Sequence, residues 1–183
     1  EIVSAERIRA ELERLLLSPY PRRGLELLVH TGICDIVLPE VSALQDTVDE
    51  HRRHKDVYEH TLTVLQQAMD LETGPDGAVP GPDLRLRLAA LMHDIGKPAT
   101  RRFMPDGTVT FHAHDYVGAR MTAKRMRALH FDKQTIKDVS RLVELHLRFH
   151  GYADSPWSDS AVRRYVTDAG PLLARLGCLT RAD

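Results

Sequence analysis

The chain has 183 residues, 43% of them apolar, which is enough for one large domain or two small ones with a packed core. With 25 Lys and Arg against 26 Asp and Glu, the chain as a whole is not a general polyanion binder. The charge is unevenly spread, because residues 101–150 hold ten Lys and Arg against five Asp and Glu. This basic middle would help an anionic substrate approach, although a mixed solvated surface explains the same counts equally well.

Cysteine content and hydropathy indicate the compartment. Cys34 and Cys178 are too few for a disulfide framework, and both lie in apolar stretches, which predicts buried thiols in a reducing, cytoplasmic setting. No apolar run has the length of a membrane span, and no signal peptide is present, so we expect no membrane partner. The sequence starts at Glu1 rather than Met, from which we expect a piece of a longer protein.

Residues 1–45 are predicted to form a small helical unit. Residues 4–16 begin with a good N-cap and continue with apolar side chains at helical spacing, and prolines up to Pro21 end this helix. Residues 24–31 predict a second short helix, which Gly32 stops, and Pro39 is expected to close the apolar run 33–38 that follows. So few residues cannot bury the apolar faces by themselves, so the unit should pack against the rest of the chain.

Residues 46–183 are predicted to form a second helical unit. A polar segment at 46–56 leads into a helix over about 57–71, and a Gly- and Pro-rich loop follows at 73–82. Asp83 is expected to cap the next helix, whose apolar stripe runs up to a His-Asp pair.

The second half of this unit continues the helical pattern. Residues 101–111 predict a short hairpin or an irregular loop, because a Pro-Asp-Gly turn separates two short β-prone runs. Further helices are expected from about Asp115, after the cap Asp132, after the cap Ser158, and over 172–183. Strand-type alternation is nearly absent elsewhere, so the predicted fold class is all-α.

An imidazole and a carboxylate stand side by side in the run LMHDIGKP, as His93 and Asp94. Neighbouring helical residues point about 100° apart, so the pair can share one ligand only where the helix ends, and Gly96 is expected to provide that end. Imidazole nitrogen and carboxylate oxygen suit divalent metal ions, and Lys97 adds a cation of the kind that phosphate sites use. A helix cap or a surface ion pair is the commoner meaning of such a pair in isolation.

Four further residues could complete a metal site, each on a different predicted helix or helix end. Asp183 continues the apolar spacing of the last helix and should face inward, where a carboxylate needs a partner. The alternatives are a core histidine at the edge of the 57–71 helix and a frayed last residue. The four are His60, His114, His146 and Asp183.

The order His…His-Asp…Asp resembles the HD superfamily of metal-dependent phosphohydrolases, which also carries optional extra histidines. The resemblance implies a divalent metal ion, with Mg, Mn, Fe, Ni, Co and Zn all left open. The implied metal ligands are His60, His93, Asp94 and Asp183. His114 and His146 match the extra histidines of members that hold a second metal or contact phosphate.

A second resemblance covers the whole chain. Residues 4–12, SAERIRAEL, resemble the motif that opens the last neck helix of bacterial CCA-adding tRNA nucleotidyltransferases, a family that includes poly(A) polymerases, and residues 24–40 resemble the helices that follow. Four further runs resemble the HD domain that is appended to the same enzymes: 56–61, 93–100, 111–119 and 145–152. The family's catalytic head, with its Gly-Gly loop and paired aspartates, has no counterpart in this chain.

These resemblances imply a tRNA-supporting neck over 1–45 and an HD-type helical bundle over 46–183, within a parent protein that adds CCA to tRNA. The HD domain would hydrolyse phosphates of nucleotides or RNA ends. Asp94 would hold metal and accept a proton from water, while Lys97 would neutralise phosphate charge. Two alternatives stay open, a non-catalytic HD scaffold that contacts tRNA and a free-standing HD nucleotide phosphohydrolase. RNA-contacting residues and oligomeric state are not predicted.

Overall fold

The computed structural model describes residues 3–48, 56–148 and 157–183. The predicted polar segment therefore lies mostly outside the described residues, as does the second half of the 145–152 run. The first four helices are α1 Ala5–Leu17, α2 Pro21–His30, α3 Ile33–Val37 and α4 Pro39–Ser42, with a 3₁₀ turn at Ala43–Asp46.

Two of these boundaries differ from the sequence expectation. Pro21 begins α2, and Pro39 begins α4, although each was expected to close the element before it. A proline at the first helical position lacks only an N–H that would have no helical partner, and its fixed φ suits the helix. Gly32 has φ 75° and stops α2 as predicted.

The remaining helices follow the predicted order. They are α5 Val57–Asp70, α6 Leu84–Met92, α7 Lys97–Thr100, α8 His114–Ala128, α9 Lys133–Leu145, α10 Asp159–Ala169 and α11 Leu173–Ala182. The side chains of Asp83, Asp132 and Ser158 each accept a hydrogen bond from a backbone N–H of the first turn, as N-caps do. Within the described ranges, no helix is both long and apolar enough to cross a bilayer.

The predicted hairpin is present, so the all-α prediction with one small hairpin is confirmed. Strands β1 Arg102–Phe103 and β2 Val109–Thr110 pair antiparallel, and Gly107 has φ 84° in the turn between them. A positive φ is accessible to glycine without the cost that a Cβ imposes, which explains the Pro-Asp-Gly turn. The hairpin lies on the surface between α7 and α8.

The helices from α5 to α11 form a bundle around one continuous apolar core. Helix α8 packs along α9, α6 lies between α5 and α9, and α11 packs against α5 and α6. The core is filled mainly by leucines, including Leu62, Leu65, Leu88 and Leu91, which are fully buried. The candidate site lies where the ends of five helices meet, namely α5, α6, α8, α9 and α11.

The first four helices are joined to the bundle by the same core and by two buried or half-buried arginines. Arg87 of α6 donates to the carbonyl of Leu16 at 2.6 Å and pairs with Glu72 at 2.7 Å, and it is buried. Arg125 of α8 makes a two-pronged pair with Glu40, the closest distance being 2.9 Å. The division at residue 45 stays a prediction, because the core runs across it.

Both cysteines carry free thiols. The prediction of buried thiols is confirmed for Cys34, whereas Cys178 is only half-buried. Burial, with a smaller effect of Asp35, raises the pKa of the Cys34 thiol to about 11. Cys34 is therefore a protonated core residue at neutral pH.

Candidate metal centre

The His-Asp pair lies in the turn between α6 and α7. His93 still has helical backbone angles, and the chain then tightens so that the N–H of Lys97 donates to the carbonyl of Asp94 at 2.9 Å. In this turn the Nε2 atom of His93 lies 3.3 Å from Oδ2 of Asp94. The end of the helix thus aims both side chains at one point, as the sequence predicted.

The predicted reason for Gly96 was wrong. Its φ of −76° and ψ of −19° are ordinary helical values, so the turn does not need a glycine for its backbone conformation. A Cβ on Gly96 would instead lie 2.1 Å from the carbonyl oxygen of His114 and 2.7 Å from the backbone nitrogen of Gly118. The glycine is therefore needed because the first turn of α8 packs directly against it.

The structure brings all six predicted side chains together at one end of the bundle. Three form an outer cluster, and the other three form an inner cluster. The outer cluster is His60, His93 and Asp183, and the inner cluster is Asp94, His114 and His146. Within each cluster the possible ligand atoms lie within 4.8 Å of one another.

The outer cluster joins α5 to the end of α11. The Nε2 atom of His60 lies 3.0 Å from Oδ1 of Asp183, and the Nε2 atom of His93 lies 3.4 Å from that of His60 and 3.5 Å from the same Asp183 oxygen. Asp183 faces inward as predicted, and its side chain is only 8% exposed. Three potential donors from three segments thus surround one point.

Asp94 connects the two clusters. Its Oδ2 atom faces the outer cluster, 3.3 Å from His93 and 3.7 Å from His60, whereas its Oδ1 atom lies 3.2 Å from Nε2 of His114. A carboxylate has two oxygens and can contribute one to each of two neighbouring ions. The geometry allows Asp94 to serve both clusters.

Three of the histidines are oriented by the same backbone contact. The Nδ1 atoms of His93, His114 and His146 lie 2.8, 2.8 and 2.6 Å from the carbonyl oxygen three residues earlier in the chain. A carbonyl only accepts, so each Nδ1 carries the hydrogen and each Nε2 points into the centre. This is the arrangement by which proteins fix a histidine for metal binding.

Buried polar atoms without a hydrogen-bond partner mark the inner cluster. Within the described residues, Nε2 of His114 and Nε2 of His146 are buried and have no partner in hydrogen-bonding geometry. Such atoms cost free energy unless something satisfies them. Nitrogen and carboxylate oxygen donors in this number suit a borderline divalent ion, so the residues fit a metal ion in each cluster.

The charges in the centre are strongly coupled. Burial opposes a charge on His93, but Asp94 and Asp183 outweigh it and raise the pKa of His93 to about 10. Burial likewise opposes ionisation of Asp94, yet the positive charges of His93 and Lys97 hold its pKa well below the ordinary value. Burial and the charge of His93 lower the pKa of His146 to about 4. A proton on His93 therefore holds positive charge between two carboxylates, where a cation would replace it.

Lys97 adds a second positive charge beside the centre. Its Nζ atom lies 2.9 Å from Oδ2 of Asp94, and the side chain is buried with its ammonium group 5.5 Å from the ring centre of Phe111. Phe111 also provides the carbonyl that orients His114. No residue pattern pointed to this double role, because one half of it belongs to the backbone.

The centre opens to solvent on one side. The side chain of His60 is 15% exposed, whereas those of His93 and Asp94 are at most 2% exposed and His146 is fully buried. A small molecule would therefore reach the outer cluster first. The inner cluster lies behind it in the core.

Two family models match the chain. The model of the HD domain matches residues 57–183, and the model described as "Probable RNA and SrmB- binding site of polymerase A" matches residues 1–44. The chain therefore belongs to the HD domain family. HD domains bind divalent metal ions, and both clusters described above lie within the matched residues.

Curated relatives agree with the resemblance to CCA-adding enzymes, which is thereby confirmed. The chain is 36% identical over 179 residues to the A-adding tRNA nucleotidyltransferase of Deinococcus radiodurans and 36% identical over 179 residues to the CC-adding tRNA nucleotidyltransferase of Thermus thermophilus. It is 32% identical over 148 residues to the multifunctional CCA protein of Neisseria gonorrhoeae. The first two alignments cover 97% of this chain but only 38% of each relative.

Proposed function

We propose that this chain carries a two-ion metal centre that hydrolyses phosphate ester bonds of nucleotides or RNA ends. The observation that carries the proposal is the convergence of six side chains from five segments, up to 123 residues apart, on two adjoining clusters. Backbone contacts turn three of the imidazoles so that Nε2 faces the centre. Isolated surface ion pairs do not need such an arrangement.

Each cluster has its own proposed role. The outer cluster, with His60, His93 and Asp183, would hold the ion that substrate reaches first. His114, His146 and Asp94 would hold an inner ion. A divalent ion in such a site lowers the pKa of water and polarises a phosphoryl oxygen.

The pKa of Asp94 refines its role. A carboxylate whose pKa lies well below the ordinary value is a weak proton acceptor, so the structure favours ligand binding by Asp94 over the proton transfer expected from the sequence. Lys97 keeps a positive charge 2.9 Å from that carboxylate. We assign Lys97 to neutralising charge when a phosphate approaches the centre.

The relatives support a wider context for this site. We propose that the parent protein is a tRNA nucleotidyltransferase, that tRNA is its partner, and that residues 1–45 support tRNA, with activity in the cytoplasm. The match of residues 1–44 to an RNA-binding model supports this assignment over a free-standing nucleotide phosphohydrolase. Nucleotide transfer itself would need segments that these 183 residues do not contain.

Hydrolysis of bis(p-nitrophenyl) phosphate and p-nitrophenyl phosphate, with each divalent ion added in turn, tests the proposal. Asp94→Ala should abolish metal-dependent hydrolysis while circular dichroism shows an intact helical fold. Asp115→Ala is the matched control, because Asp115 lies in the first turn of the same helix as His114 but outside both clusters. Retained activity in Asp94→Ala would exclude the site, and stoichiometric metal without any hydrolysis would favour the non-catalytic scaffold.

A further inference from the structure

An open groove of about 1240 Å³ runs along the paired helices α8 and α9. It is lined by residues of α8 between 116 and 127, by residues of α9 between 134 and 144, by residues 167–172, and by two arginines, Arg85 and Arg175. We call this feature the α8–α9 groove. None of the six residues of the metal centre lines it.

The acidic residues of the groove are already paired. Asp138 pairs with Arg85 at 3.0 Å, and Glu144 pairs with Arg141 at 3.0 Å. Asp168 pairs with Arg148 at 2.6 Å. These contacts neutralise each carboxylate in the lining.

Four cations of the lining have no such partner. All four are exposed, and none forms an ion pair with another residue in the part of the chain that the structure describes. They are Arg120, Lys124, Arg127 and Lys137. Four of the ten cations of residues 101–150 therefore line this groove without an ion-pair partner.

The cations of α8 form a row that points toward the metal centre. Arg120, Lys124 and Arg127 are spaced at i, i+4 and i+7, which places them on one helix face over about 10 Å. Tyr116 continues this row by one turn, is 56% exposed and lines the groove. It lies two residues from His114, whose ring belongs to the inner cluster. Cations followed by an exposed aromatic ring are the elements that bind phosphates and stack a base.

We propose that the α8–α9 groove binds a single strand of RNA, with Arg120, Lys124 and Arg127 on successive phosphates and Tyr116 stacked on a base at the end nearest the metal centre. The groove would thereby present the end of an RNA strand to the centre. Presentation of the RNA end to the metal centre rests on the proposed phosphohydrolase function, whereas binding of the strand does not. An acidic protein segment is the alternative occupant, but its binding would not require the exposed ring of Tyr116.

Fluorescence anisotropy with a labelled 20-nucleotide single-stranded RNA tests the proposal, in EDTA so that failure of the metal centre cannot affect it. The groove variant combines Arg120→Gln, Lys124→Gln and Arg127→Gln. The matched control combines Arg102→Gln, Lys133→Gln and Arg163→Gln, which removes the same charge from exposed residues outside the groove. Thermal melting checks that both variants are folded.

The groove variant should bind about 100-fold more weakly at 100 mM KCl and lose about 2 from the slope of log K against log salt, because each single-strand phosphate contact contributes about 0.7. The control should bind like the wild type. Equal losses in both variants, or none in the groove variant, would overturn the proposal.

Substitutions of Tyr116 distinguish the contribution of base stacking from that of charge. Tyr116→Ala should weaken binding by about 5-fold or more, whereas Tyr116→Phe should keep wild-type affinity, because stacking on a base needs only the ring. A poly-glutamate peptide should compete poorly with the RNA. If the peptide competes with an affinity equal to that of the RNA, and if Tyr116→Ala does not change RNA affinity, the groove would be assigned to an acidic protein partner instead.

Discussion

Replacing Gly96 with alanine tests the packing that brings the clusters together. The backbone of Gly96 is helical, so alanine is conformationally acceptable there. The added Cβ, however, would lie 2.1 Å from the carbonyl oxygen of His114 and 2.7 Å from the nitrogen of Gly118. Both are backbone atoms, so the clash can be relieved only if α8 and the turn at 93–97 move apart by on the order of 1 Å.

The expected cost follows from overpacking. Inserting a methyl group into a closed contact typically costs about 1–3 kcal/mol, and the rigid backbone partners here place Gly96→Ala near the upper value. A loss of about 3 kcal/mol lowers the melting temperature by about 6–12 °C in a chain of this size. Because His114 moves with α8, its 3.2 Å approach to Asp94 should also be lost, and metal binding should weaken.

Urea denaturation and elemental analysis of the folded variant measure both effects. Gly177→Ala is the matched control, since Gly177 lies inside α11 with no atom within 4 Å of an added Cβ. The control should gain about 0.5–1 kcal/mol from its higher helix propensity and should retain metal. If Gly96→Ala is as stable as the wild type and keeps its full metal content, the close packing of α8 on the turn is not what holds the clusters together.

Three further predictions concern the ligands, their protonation and the anchoring of α1. His93→Ala should remove bound metal in elemental analysis, whereas His112→Ala, an exposed histidine outside both clusters, should keep it; equal loss would contradict the assignment. Because Asp94 and Asp183 raise the pKa of metal-free His93 to about 10, an entering ion displaces a proton at pH 8, and apparent affinity should rise about tenfold per pH unit from pH 7 to 9 and level off above pH 10. Calorimetry in two buffers counts that proton, and a pH-independent affinity would refute the linkage. Arg87→Leu should cost about 3–5 kcal/mol in urea denaturation, since it leaves the carboxylate of Glu72 buried without its cation. Arg14→Leu, which removes only an exposed pair, should cost at most about 1 kcal/mol, and similar losses in the two variants would contradict this difference.

Local chemistry explains which parts of the fold were predictable. The caps at Asp83, Asp132 and Ser158 act within three residues, so the sequence alone places the start of α6, α9 and α10. The prediction that Pro21 and Pro39 end the preceding elements, made from the same local chemistry, was wrong. A proline can end one helix or begin the next, and the neighbouring packing decides between them.

For the site, the sequence by itself determined the residue types and their order around His93 and Asp94, together with the end of a helix that lets the pair face one point. It did not determine that these residues meet. His60 and Asp183 are 123 residues apart and lie 3.0 Å from one another only because α5 and α11 pack together.

The role of Gly96 shows the same division. From the sequence it is a glycine after a helix, which predicts a special backbone conformation, and the structure shows a close approach of α8 instead. The charge of the groove shows the same division, because a distant arginine, Arg85, neutralises Asp138, and Arg148 pairs with Asp168 only in the folded chain. Local propensity sets the helices, whereas contacts between residues far apart in the chain set the ligand geometry and the charge of each face.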